Sequence, residues 1–167
     1  LLFGDAAGAV VLEAREGERG ILSSHLHADG SYLELLYQPG FGSAVTPTEQ
    51  GVRDRGYFLK MQGNEVFKVA VKMLAEVAQE ALEANDMTID DISLLIPHQA
   101  NIRILEATAK RMQLPAEKVY INVDRFGNTS AATIPLALDE ANRAGKLKEN
   151  DIIVLNAFGG GFTWASA

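Results

Sequence analysis

Leu94-Leu95-Ile96-Pro97-His98-Gln99-Ala100-Asn101 is the stretch from which the rest of the chain is best read. Ser93 to Pro97 is a short, nearly continuous apolar run. A strand with one wet face alternates, whereas a strand covered on both faces does not, so this run predicts a buried strand in a parallel or mixed sheet. A helix is expected next, from about Gln99 to Met112, stopped at Leu114-Pro115. Upstream, Val66, Phe67, Ala70, Val71, Leu74, Val77, Ala78, Ala81 and Leu82 follow the 3.6-residue period and predict a helix from Asn64 to Ala84. Downstream come a strand over Val119 to Val123, a turn at Asp124-Arg125-Phe126-Gly127 and a helix from Thr129 to Ala144. Gly145 ends that helix. A strand over Asp151 to Phe158, a turn at Gly159-Gly160-Gly161 and a last strand from Phe162 complete the order. Strand alternating with helix gives an α/β class, a mixed sheet covered by helices.

The first third reads differently. Ala9 to Glu13 is rich in β-branched residues and predicts a strand. Glu16 to Gly20 supplies a turn, and Ile21 to Ala28 alternates as its hairpin partner. From Asp29 to Gly56 the period is lost among Gly30, Pro39, Gly40, Gly42, Pro47 and Gly51, a long excursion of the functional or flexible kind. Phe58 to Met61 is a short strand before the long helix.

Composition narrows the function. The chain has 167 residues, 47% apolar and 22% charged, which suits one soluble domain. Fifteen basic residues against twenty-two acidic ones leave a net charge of −7, the wrong balance for a nucleic-acid binder. No apolar run reaches the ~18 residues of a membrane span, and no signal-peptide pattern opens the chain, so the expected location is cytoplasmic. With no cysteine, thiolate zinc sites and a cysteine nucleophile are absent from this stretch. Leu1-Leu2-Phe3 at one end and Phe162-Thr163-Trp164-Ala165-Ser166-Ala167 at the other are apolar where termini are usually polar. The expectation is a piece of a larger folded body.

Three places carry candidate chemistry. His98 stands where a buried strand ends, the usual place for ligands in α/β sheets, and a helix start would keep its ring neutral. The alternative is a histidine that merely packs at the strand end. Asn128, before the next helix, is either an N-cap or a neutral donor converging with His98 on one oxygen. Gly159-Gly160-Gly161 lies between strands, so it is no phosphate loop; it is a hairpin turn or a pair of backbone donors for an oxyanion. His25 and His27 share one strand face without an evident third ligand, so a solvated face is expected rather than a metal site. Lys68, Arg103, Lys110 and Arg111 are basic residues on an acidic protein, either plain helix-surface charge or a docking patch.

Taken together, Pro97-His98-Gln99-Ala100-Asn101, Gly127-Asn128-Thr129-Ser130-Ala131-Ala132 and Gly159-Gly160-Gly161-Phe162-Thr163-Trp164 resemble the β-ketoacyl-acyl-carrier-protein synthase III family. Gly4-Asp5-Ala6-Ala7-Gly8-Ala9 and Met61-Gln62-Gly63-Asn64-Glu65-Val66-Phe67 carry the same resemblance, with Ala6 a departure from a frequent glycine. The likeness runs in order through the whole chain but covers only the C-terminal half of the family. It implies a thiolase-like fold, two α/β halves in a five-layered αβαβα body, with residues 1–167 as one C-terminal domain. It also implies a homodimer and a Cys-His-Asn triad. His98 and Asn128 would be its last two members, the cysteine lying in the N-terminal half.

By the same resemblance Gly160 donates to an acyl oxyanion, and Gly63, Asn64, Phe67, Ala100 and Asn101 line a coenzyme A and pantetheine tunnel. Arg103, with Lys68, Lys110 and Arg111, would face acyl carrier protein. The implied reaction joins an acyl-CoA, acetyl-CoA in the family's usual case, to malonyl-acyl-carrier-protein with loss of carbon dioxide. It uses no metal and no cofactor beyond the coenzyme A thioester and the phosphopantetheine arm as substrates. A related condensing enzyme for polyketide, quinolone or hydrocarbon synthesis would share these motifs. A non-catalytic partner subunit would have lost them, and a stand-alone ligand-binding domain would not have cut-looking ends.

Overall fold

The computed structural model describes residues 2–17 and 19–167. In chain order its elements are β1 (His25–Ala28), β2 (Leu36–Tyr37), α1 (Glu49–Arg53), β3 (Lys60–Met61), α2 (Gly63–Glu83) and β4 (Leu94–Pro97). They continue with α3 (Ile102–Met112), α4 (Val123–Phe126), α5 (Thr133–Arg143), β5 (Ile153–Gly159) and β6 (Thr163–Ser166). Four strands form one mixed sheet in the order β1-β6-β5-β4. β4 and β5 run parallel, and the other two pairings are antiparallel. β2 and β3 make a separate two-stranded ribbon.

β4 has no polar position to turn toward water, so both of its faces need cover. Leu95 packs with Ala78 and Leu82 of α2 and with Ala109 and Met112 of α3. Leu94 and Ile96 point the other way and join Tyr120, Ala137 and Ala141 beneath α5. Leu95 and Ile96 are 0% exposed, and full burial of such a side chain stabilises by about 1.5–3 kcal/mol. β5 alternates, with Val154, Asn156 and Phe158 buried and Ile153, Leu155 and Ala157 half-buried. α2 buries Val66, Ala70, Leu74, Val77, Ala78, Ala81 and Leu82 of the expected stripe together with Met73 and Ala75, while Phe67 and Val71 are half-buried.

Both helices that follow site residues start later than their sequences suggest. α3 begins at Ile102 rather than near Gln99, with the Asn101 side chain accepting the Arg103 N–H at 2.9 Å as its cap. Gln99 is withheld from the helix because its buried amide is engaged elsewhere. Its Nε2 donates to the Pro97 and Tyr120 carbonyls, and its Oε1 accepts the N–H groups of Asn122 and Val123. α5 begins at Thr133, after a 3-10 turn over Ser130–Ala132.

Two expected strands are absent. Residues 119–123 make one bridge, Leu95 to Val119, and then leave the sheet. The Gln99 side chain takes the N–H groups that a further strand would have taken, and α4 begins at Val123. Residues 9–13 have no strand partner among the described residues, so the hairpin with residues 21–28 does not form. Of that second strand only β1 exists, and it pairs with β6 instead. Glu18, within the expected 16–20 turn, lies outside the described residues, as does Leu1. The excursion from Asp29 to Gly56 is partly ordered by a 3-10 turn over Gly30–Leu35, β2 and α1. Among the described residues no helix is long and apolar enough to cross a membrane.

The start of the described chain is tied to the site. Asn128 donates its N–H to the Leu2 carbonyl and accepts from the Gly4 N–H, at 3.1 and 3.0 Å. This contact requires glycine at position 4, because a Cβ there would lie 2.0 Å from the Phe126 carbonyl oxygen. The turn that follows α4 also needs Gly127, whose φ of +69° is in the left-handed region.

Candidate active site

His98 follows β4 directly, and its N–H continues the sheet by donating to the Asn156 carbonyl at 2.8 Å. Its Nδ1 lies 2.6 Å from Thr133 Oγ1 at the start of α5. Burial alone holds the imidazole below its ordinary value of 6.5, so the ring is neutral. The helix start that the ring touches is that of α5, at Thr133, rather than that of α3, which begins at Ile102.

Asn128 reaches the same place from the other side. Its Oδ1 accepts the Ser130 N–H at 2.9 Å, so the local capping role is real. It uses only the oxygen, and Nδ2 has no partner among the described residues. The Ser130 carbonyl accepts the Thr133 N–H, and Thr133 Oγ1 meets His98. One short turn, residues 130–133, therefore braces both candidate side chains.

His98 and Asn128 lie on one cavity of about 950 Å³ with a mostly apolar lining. Asn64, Phe67, Ala100, Asn101, Arg103 and Gly160 line it too, as the motifs lead one to expect. Gly63, the first residue of α2, is exposed and does not line it. Gly160 sits in the β5–β6 turn, its N–H without a backbone acceptor outside the strand ladders among the described residues. Phe158 and Trp164, flanking that turn, are further lining residues. The arrangement brings two neutral polar side chains and the Gly160 turn to one mostly apolar cavity, where hydrogen bonds to a developing negative oxygen are strong.

The four basic residues divide. Arg103 lies at the cavity with its guanidinium 5.8 Å from the centre of the Phe67 ring. Lys68 pairs with Glu65 at 2.8 Å, and Arg111 approaches Glu76 at 3.5 Å. Lys110 is exposed near the end of α3. The histidines of β1 lie on a largely exposed strand, and both have a partner. His25 Nδ1 and His27 Nε2 bond the two oxygens of Glu80 on α2, at 3.2 and 2.6 Å, because pairing with β6 lays β1 along that helix. No group of three or more His, Cys, Asp or Glu suited to a metal ion occurs among the described residues.

Two side chains with large roles carry no catalytic signature in the sequence. Gln99 clamps the loop of His98 to the loop that leads to Asn128, and Thr133 touches the imidazole itself. A second polar residue, two places after an unbroken apolar run, was the available signal for Gln99. For Thr133 there was none.

Residues 82–167, more than half of the chain, match the model described as 3-oxoacyl-[acyl-carrier-protein (ACP)] synthase III C terminal. The chain belongs to that family. Residues 1–30 match the separate 3-oxoacyl-[acyl-carrier-protein (ACP)] synthase III model. The chain is 55% identical, over all of its length, to the beta-ketoacyl-[acyl-carrier-protein] synthase III of Xanthomonas campestris pv. campestris, of which it covers 50%. The crystal structure of 3-oxoacyl-[acyl-carrier-protein] synthase III from Aquifex aeolicus superposes with a TM-score of 0.79 at 41% identity, over 92% of this chain and 45% of that one. The priming beta-ketosynthase of the R1128 polyketide pathway follows at 0.71 and 32%, over 86% of this chain and 42% of that one. The chain thus spans about half the length of the curated relatives it matches. Its mixed sheet and helices are the C-terminal half of a thiolase-like synthase III fold.

Proposed function

We propose that residues 1–167 form the C-terminal domain of a β-ketoacyl-acyl-carrier-protein synthase III, whose nucleophilic cysteine comes from an upstream half of the same polypeptide. The observation that supports this is the convergence of His98 and Asn128 on one apolar cavity, both braced by the 130–133 turn. In this reading the cysteine thiolate first takes an acyl group, acetyl in the simplest case, from acyl-CoA and releases free coenzyme A. Malonyl-acyl-carrier-protein then places its thioester oxygen between His98 Nε2 and Asn128 Nδ2. The bond to the malonyl carboxylate breaks, carbon dioxide leaves, and the electron pair becomes an enolate held by those two donors. The enolate carbon attacks the acyl-cysteine carbonyl, whose oxygen is met by the Gly160 N–H, and the thiolate departs.

Asn64, Phe67, Ala100 and Asn101 are proposed to hold the pantetheine arm, common to both substrates. Arg103 leads the proposed docking surface for acidic acyl carrier protein, since it has no carboxylate partner among the described residues; Lys110 extends it. Lys68 and Arg111, each beside a glutamate, would add less. The working unit would be a homodimer in the cytoplasm, with no metal and no resident cofactor. The likeness to the R1128 priming ketosynthase supports a second reading, in which the same chemistry starts a polyketide.

The test uses the chain joined to the upstream half that its relatives carry. His98→Ala and Asn128→Ala should each cut malonyl-thioester decarboxylation by roughly 10²–10³-fold, the usual cost of one such donor. Mass spectrometry should still find the acylated cysteine in both variants. Decarboxylation at the unmodified rate in both would end this reading.

A further inference from the structure

The two nitrogens of His98 differ in their surroundings. Nε2 has no partner among the described residues, while Nδ1 meets Thr133 Oγ1 at 2.6 Å. We propose that the Thr133 hydroxyl donates its proton to His98 Nδ1 and so fixes the tautomer that carries hydrogen on Nε2, making Thr133 a positioning residue of the site. The hydroxyl has one proton and two acceptors in reach, Nδ1 at 2.6 Å and the Ser130 carbonyl oxygen at 3.0 Å.

Two observations favour Nδ1. A separation of 2.6 Å is shorter than the ~2.7–3.2 Å of N–H donors but lies within the ~2.5–3.0 Å that O–H donors adopt. The Ser130 carbonyl, in turn, already accepts the Thr133 backbone N–H, so it is not orphaned when the hydroxyl turns to the ring.

Neutral imidazole has a single N–H, so the nitrogen that accepts from Thr133 dictates what the other one offers. With Nδ1 accepting, Nε2 offers hydrogen; with Nδ1 donating, Nε2 offers a lone pair, which would repel an enolate oxygen. Thr133 is 1% exposed, which keeps water from competing for its hydroxyl. Its branched side chain also has few rotamers to choose from at the head of α5. The catalytic consequence rests on the donor role proposed for His98, whereas the tautomer does not.

The experiment is ring ¹⁵N NMR of the chain joined to its upstream half, with the His98 signals identified by their loss in His98→Ala. Unmodified protein and Thr133→Ser should both show hydrogen on Nε2 and a bare Nδ1. Thr133→Val, which keeps shape but not the donor, should show a mixture of tautomers and at least a roughly tenfold loss of malonyl decarboxylation. Hydrogen on Nδ1 in the unmodified protein would overturn the proposal. So would a Thr133→Val spectrum identical to it. The unmodified and Thr133→Ser spectra decide the assignment even where Thr133→Val fails to fold. A changed tautomer with an unchanged rate would uphold the assignment and overturn the donor role of His98 instead.

Discussion

Leu94-Leu95-Ile96 and Val10-Val11-Leu12 are three-residue runs of the same apolar character, and they meet opposite fates. The first is 5, 0 and 0% exposed, paired with β5 and covered on both faces. The second is 65, 87 and 76% exposed and belongs to no strand. Apolarity and β-branching are a demand for cover, and the demand is met only where another element supplies it. Around β4 the supply comes from α2, α3 and α5. Around residues 9–13 nothing described here supplies it. The match of residues 1–30 to a separate synthase III model, in relatives about twice as long, agrees with cover from the upstream half that we propose.

Melting in urea sets the two runs against each other most directly. Leu95→Ala should destabilise by about 2–5 kcal/mol, the cost of a cavity in a close-packed core. Val11→Ala in the 167-residue chain should stay within about 0.5 kcal/mol, as exposed substitutions do. In the chain joined to its upstream half, the Val11→Ala cost should rise to about 1–2 kcal/mol as two methyl groups become buried. A Val11→Ala cost equal to that of Leu95→Ala in the shorter chain would break the contrast.

The contrast extends to polar side chains. Gln99 is 1% exposed and makes four hydrogen bonds to backbone. Gln62, at the exposed start of α2, makes one, to the Glu34 carbonyl. Gln99→Leu should cost about 2–3 kcal/mol in the same melts, since it leaves buried N–H and carbonyl groups unpaired. Gln62→Leu should cost less than about 0.5 kcal/mol. Equal costs would mean that water reaches the Gln99 site.

The smallest expected effect is electrostatic. Burial raises the Glu140 carboxyl, but the bonds from Arg125 and Asn122 outweigh it and hold the group below its ordinary value of 4.5. A depressed folded-state value means that the unfolded chain binds the proton more readily. The stabilisation is therefore complete above pH 4.5 and is lost as the pH falls through the lower folded value. Arg125 is half exposed and screened by solvent, so the effect is modest. Melting temperatures between roughly pH 6 and pH 3 should fall less steeply for Glu140→Gln than for the unmodified chain. Parallel curves would remove this pair from the acid response.

The sequence alone determined the elements whose pattern is self-sufficient. The apolar stripe that defines α2, the unbroken run of β4 and the glycines between β5 and β6 each state a local requirement that one kind of backbone satisfies. It also marked out His98 and Asn128 as candidates, by their places at a strand end and before a helix, while leaving a plain packing or capping role open for each. Only the tertiary structure decided what depends on a partner. Residues 9–13 are no strand without a neighbour, β1 pairs with β6 rather than with them, and residues 119–123 yield their ladder to the side chain of Gln99. The neutral ring of His98 likewise comes from burial, and its brace is Thr133, 35 residues further along the chain. A hydrogen-bond partner that far away in sequence leaves no periodicity to read, because proximity there is made by the packing of α5 against β4.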